Sequence, residues 1–223
     1  IYKTVQYSGW EIGTDRHLLD GLIPGFRHLT SIQDYEYRTI QAQRQNLVLG
    51  DKVVIIGGGY GATACNAANL VGDSGKVTVF EANLLNAKIT KETCKNNGFA
   101  KRVEVVEAIV SRDIGVYPGE SSANIVKSKD LPDCDVLELD CEGSEQYIID
   151  EMLIRPNTII VETHGSSGAP SIEVERKLQK LGYETYNLGI AEPRARELCD
   201  KYDIKLIVAK TRKVRSKKNE TIY

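Results

Sequence analysis

From position 51 onward the apolar residues fall into short unbroken runs, divided by longer stretches with helical spacing. KVVII (52–56) is branched throughout with no polar alternation, the pattern of a strand covered on both faces. KVTVF (76–80), RVEVVEAIV (102–110), CDVLELD (134–140) and NTIIVE (157–162) repeat it. Helices are predicted between these strands at 61–72, 83–98 and 144–153, the second stopped by Asn-Asn-Gly. A polar loop with Pro118 and Gly119 interrupts the order once. After GSSGAP the pattern predicts a helix over 171–182 and strands over 183–188 and 204–210. Short crossovers of this kind imply parallel strands joined right-handedly, with helices on both faces of one sheet. Residues 1–50 read differently: GLIPG (21–25) precedes a helical stretch over 33–47, taken as an N-terminal cap or extension. Residues 51–210 form the main domain, and 211–223 a basic tail.

Composition changes this picture little. A chain of 223 residues holds one α/β domain with a full core plus an appendage. Its 41% hydrophobic and 27% charged content is ordinary for a globular protein. A net charge of −2 leaves no electrostatic footprint for nucleic acid, which is not expected as a partner. No apolar run reaches the length of a membrane span, and IYKTVQYSGW has no signal-peptide pattern, so no membrane partner is expected. The five cysteines, Cys65, Cys94, Cys134, Cys141 and Cys199, are scattered and never spaced C-x-x-C. They read as core residues of a reducing, cytoplasmic setting, and the three histidines stand too far from paired cysteines for zinc.

The candidate chemistry begins at VVIIGGGYGAT (53–63). A glycine loop between a strand and a helix lets backbone approach a ligand and turns N–H groups toward it. ATP binding through a P-loop is excluded, because no G-x-x-x-x-G-K-[ST] occurs. Gly57, Gly59 and Ala62 satisfy the dinucleotide pattern, whereas Gly57, Gly59 and Gly61 satisfy the G-x-G-x-G found around S-adenosylmethionine. The loop alone leaves both open. Glu81, with Ala82 beside it at the end of the second strand, suits either, since a carboxylate there can accept both ribose hydroxyls of an adenosine.

Further on, LELDCEGSE (137–145) and VETHG (161–165) follow the fourth and fifth strands. With the glycine loop, Glu81 and the lead-in VKSKDLPDCD, they resemble the FkbM-type S-adenosylmethionine-dependent methyltransferases over roughly residues 50–210. The resemblance implies a Rossmann-like class I methyltransferase: a seven-stranded, mostly parallel sheet ending in an antiparallel hairpin, with the seventh strand inserted beside the fifth. It implies S-adenosylmethionine as cofactor and O-methylation of a hydroxyl on a small molecule or sugar. Two positions depart from the family pattern. Ile55 stands where an acid usually precedes the first glycine, and Glu138 where Lys is common.

Under this reading the open strand ends gather Asp140, Glu142, Glu162 and His164. Asp140 is the first choice at the chemistry, touching the methionine portion of the cofactor or orienting the acceptor. His164 is a candidate base. Glu142 either assists or begins a helix, and Glu145 reads as a first-turn helix acid. Tyr60 is expected to pack on the cofactor, and Ala108 with Ile109 to hold its adenine. Asp140, Glu142, Glu162 and His164 could hold magnesium or manganese, but nothing in their spacing demands it, and the site is expected to carry no metal. His17, Arg27, His28 and Tyr37 are expected to roof the substrate side, and a homodimer is allowed for. Two alternatives remain: an NAD-dependent oxidoreductase, and an RNA-binding methyltransferase-like protein using the basic tail.

Overall fold

The computed structural model describes residues 5–13, 31–112 and 124–211. His17, Arg27, His28, GLIPG, Pro118, Gly119 and the tail beyond Thr211 lie outside these residues. In chain order the elements are β1 (Gln6–Tyr7), β2 (Trp10–Glu11), α1 (Tyr37–Asn46), β3 (Lys52–Ile56), α2 (Ala62–Val71), β4 (Lys76–Glu81), α3 (Leu84–Asn96) and β5 (Val103–Glu107). There follow β6 (Ile109–Val110), β7 (Ile125–Val126), β8 (Val136–Leu139), α4 (Glu145–Glu151), β9 (Thr158–Glu162), α5 (Ser171–Lys180), β10 (Tyr183–Ile190), α6 (Arg196–Tyr202) and β11 (Lys205–Thr211).

Seven strands form one sheet in the order β10-β11-β9-β8-β3-β4-β5. The five from β9 to β5 are parallel, and β11 runs antiparallel between β9 and β10. Alternate residues feed two cores. Val54, Ile56, Leu137, Leu139, Ile159 and Val161 pack with Ile148 and Ile149 of α4 and Val174 and Leu178 of α5. Val53, Ile55, Val77, Val79 and Ile160 face α2, whose Ala64, Ala67 and Ala68 are fully buried. Alanines at these positions let α2 lie close against the sheet. Among the described residues no helix is long and apolar enough to cross a membrane.

Three features differ from the sequence pattern. The run expected to continue through residue 110 ends as β5 at Glu107, because Ile109 and Val110 leave the main sheet and pair in parallel with Ile125 and Val126. Trp10–Glu11 returns on Gln6–Tyr7 as a small hairpin, turned by Ser8 and Gly9, both at positive φ (49° and 88°). This is the backbone that a two-residue hairpin turn needs. Between β10 and β11 stands α6, a short helix with Cys199 buried and Leu198 exposed, too polar to show a periodic stripe. All five cysteines are free.

Candidate active site

The C-terminal ends of β3, β4, β8 and β9 open onto one crevice, where a parallel sheet of this winding places its ligands. At its near wall, β3 runs into Gly57 at φ +99°. A Cβ built there would lie 1.8 Å from the Asp140 carbonyl oxygen at the end of β8, so the two strand ends meet backbone to backbone. Only glycine fits. Glu81, closing β4, is 2% exposed and turned toward this loop. Its Oε2 accepts from Gly58 N–H (2.7 Å) and Gly59 N–H (2.9 Å), and its Oε1 from Asn83 N–H (2.8 Å). Burial raises the pKa of the Glu81 carboxyl, and the backbone donors partly offset that. The sequence led us to expect a carboxylate waiting for ribose. The structure has it engaged with the glycine loop, so a ribose hydroxyl would bond the remaining acceptor capacity of Glu81 or replace one of these donors.

The remaining residues expected at the cofactor surround this point unevenly. Tyr60 is partly buried, but against Tyr7 (ring centroids 5.5 Å apart, edge-on) and Tyr35 (6.0 Å). Gly61 begins α2 at φ +84°. Ala82 is partly buried beside Glu81. Ala108 and Ile109 are buried, and their N–H groups already donate to the carbonyls of Glu81 and Asn124. They can offer adenine apolar contact rather than a backbone donor.

The far wall is acidic. After β8 the chain turns through Glu142 at φ +56° and Gly143 at φ +117°. A Cβ on Gly143 would lie 2.3 Å from the Ser167 carbonyl, so this turn is pressed against the loop following β9. A non-glycine residue in the left-handed region carries strain, and here it aims Glu142 at the ring of His164. The His164 Nδ1 lies 2.8 Å from Glu145 Oε1, and Glu145 is fully buried. The same oxygen accepts from Cys141 and Gly143 N–H (3.2 Å each). The other ring nitrogen, Nε2, faces Glu142 Oε2 at 3.5 Å, Asp140 Oδ1 at 3.6 Å and Glu162 Oε1 at 3.9 Å. Burial pulls the imidazolium pKa down, but the Glu145 hydrogen bond and the carboxylates Asp140, Glu145 and Glu142 outweigh it and lift it to about 9. Loss of hydration raises the Asp140 carboxyl, against the pull of His164, and the neighbouring acids push it further.

No family model matches this sequence, and no curated relative does either. Solved structures do. An S-adenosylmethionine-dependent O-methyltransferase of Thermotoga maritima aligns at 21% identity and TM-score 0.53, over 79% of this chain and 65% of its own. This chain therefore spans less than two thirds of that protein. Precorrin-6y C5,15-methyltransferase of Geobacter metallireducens gives 0.54 at 18% identity, covering 86% and 95%. An O-methyltransferase of Bacillus cereus, solved with S-adenosylhomocysteine, gives 0.51 at 16%, covering 88% and 96%. The fold is that of the class I methyltransferases.

On this fold the two sequence departures fall side by side. Ile55 and Glu138 are register partners on β3 and β8, so the acid missing from one strand stands on the next. Glu138 is 2% exposed and accepts from Gln43 Nε2 of α1 at 2.8 Å. Burial, chiefly, lifts its carboxyl to about 8. Two residues to which sequence reasoning assigned no role at the site support the far wall. Glu145 is a first-turn acid, as expected, but its side chain folds back to fix His164. Asp203, at φ +53° after α6, accepts from Ser171 N–H (2.7 Å) and Oγ (2.9 Å), while its carbonyl accepts from Thr163 Oγ1 (3.0 Å). It thus clamps both ends of the loop that carries His164. Only its neighbours in space reveal this.

Proposed function

We propose that this chain is an S-adenosylmethionine-dependent methyltransferase of the FkbM type, acting on a hydroxyl of a small molecule or sugar. The observation that carries this reading is the contact of Gly57 with the Asp140 backbone, with Glu81 bonded to the same loop. It makes one continuous floor from the ribose-binding acid to the acids at the end of β8. The β10–β11 hairpin supports the methyltransferase reading over the nicotinamide one.

In this reading Glu81 would hold the adenosine ribose, Ala108 and Ile109 would lie against the adenine, and Asp140 would face the sulfonium end. The acceptor oxygen attacks the methyl carbon in line. S-adenosylmethionine, when bound, would supply the activated methyl group, its sulfur keeping the carbon–sulfur electron pair as S-adenosylhomocysteine is released. The acceptor's proton passes to a carboxylate of the Asp140–Glu142 pair as the new bond forms. His164, pinned by Glu145, holds that pair in place. Glu36, from the first 50 residues, is close enough to interact electrostatically with Asp140, which supports taking residues 1–50 as a cap over the acceptor side. Cytoplasmic location belongs to the same reading.

S-adenosylhomocysteine should raise the melting temperature, and Glu81→Ala should remove that rise. A shift with NAD and none with either S-adenosyl ligand would replace this function with an oxidoreductase.

A further inference from the structure

Asp140, Glu162 and His164 each present one donor atom, and all three atoms lie within 4.8 Å of one another. We propose that these residues bind a single divalent transition cation, with Mn2+ the best match to the donor set and Glu142 close enough to join it. Binding of the ion does not depend on the methyl-transfer reading.

The distances carry the case. Two donors about 2.1 Å from a common ion stand about 3 Å apart when adjacent and about 4.2 Å apart when opposite. The Nε2–oxygen separations of 3.5 to 3.9 Å lie inside that interval. They are too long for hydrogen bonds of ordinary strength, so the ring nitrogen is shared among three carboxylates and committed to none.

A second observation is independent of the cluster's charge. Glu162 is 9% exposed, and its Oε2 has no hydrogen-bond partner among the described residues. A buried carboxylate oxygen without a donor is costly unless something else supplies positive charge. A third is the far side of the imidazole. Nδ1 is bonded to the fully buried Glu145, the carboxylate–histidine arrangement that fixes a ligand ring and leaves Nε2 for a metal. One imidazole among carboxylates favours manganese over calcium or magnesium, which prefer oxygen alone. Three protein donors leave coordination positions open. On the methyl-transfer reading, an acceptor oxygen would take one of them.

The test uses the full chain, stripped with a chelator and titrated with Mn2+, free ion being followed by electron paramagnetic resonance. One ion per chain should bind. Glu162→Gln and His164→Ala should each weaken binding by at least tenfold, and Glu145→Gln by about 10- to 100-fold. Circular dichroism and S-adenosylhomocysteine binding check that the variants fold. Failure to bind one Mn2+ per chain at millimolar concentration, or undiminished binding by a folded Glu162→Gln protein, overturns the proposal. S-adenosylhomocysteine binding without Mn2+ binding sinks this inference and spares the methyltransferase reading. Mn2+ binding without S-adenosylhomocysteine does the reverse.

Discussion

Glu81 at the end of β4 and Glu162 at the end of β9 are carboxylates on the same edge of one sheet, 2% and 9% exposed. The first accepts backbone hydrogen bonds from Gly58 and Gly59 of the glycine loop and from Asn83 in the turn after it. The second has one oxygen with no partner and the other 3.9 Å from a histidine nitrogen. The difference is one of donor supply. A glycine loop turns consecutive N–H groups inward, whereas the ends of β8 and β9 project acids toward one another. In the near half the buried acid is held by backbone donors, and in the far half Glu162 keeps an oxygen with no partner among the described residues.

Four substitutions probe that contrast, in order of expected effect. Gly57→Ala forces a methyl onto the Asp140 carbonyl at a positive φ, and should cost about 3 kcal/mol or more in urea unfolding. A loss below about 1 kcal/mol would mean that β3 and β8 separate easily there. Glu81→Gln weakens charge-assisted bonds to the glycine loop, so stability should fall by about 1.5–3 kcal/mol, with weaker S-adenosylhomocysteine binding by calorimetry. Asp203→Ala releases the His164 loop and should cost about 1–2 kcal/mol. Glu162→Gln should leave the metal-free protein as stable as the parent or slightly more stable, because it removes one buried acid facing Asp140 and Glu142 and its Oε2 has no hydrogen bond to lose. Equal losses at Glu81 and Glu162 would erase the distinction between the halves.

The central strands were legible because residues buried on two faces leave unbroken branched runs, as in KVVII and NTIIVE. The candidate site was legible where a local motif marks it: the glycine loop, the acid that closes the second strand, and the D-x-E-G-x-E turn. What escaped depends on distant parts of the chain. The bond between Glu145 and His164 spans 19 positions, and that between Asp203 and Ser171 spans 32. Neither leaves a local pattern. The hairpin at Ser8–Gly9 and helix α6 escaped because they are short and half polar, with too few buried positions to set a period. Asp140, Glu162 and His164 were grouped from the sequence at the open strand ends, but their spacing could not give their separations, since Asp140 and His164 converge only when β8 and β9 pair.

A crystal structure of the chain with S-adenosylhomocysteine tests the account most directly. The account predicts ribose hydroxyls on Glu81, beside or in place of the Gly58 and Gly59 N–H donors, and the sulfur directed at Asp140. A ligand bound elsewhere, or a crevice in which Glu81 stays bonded to the glycine loop and excludes the nucleoside, would contradict it.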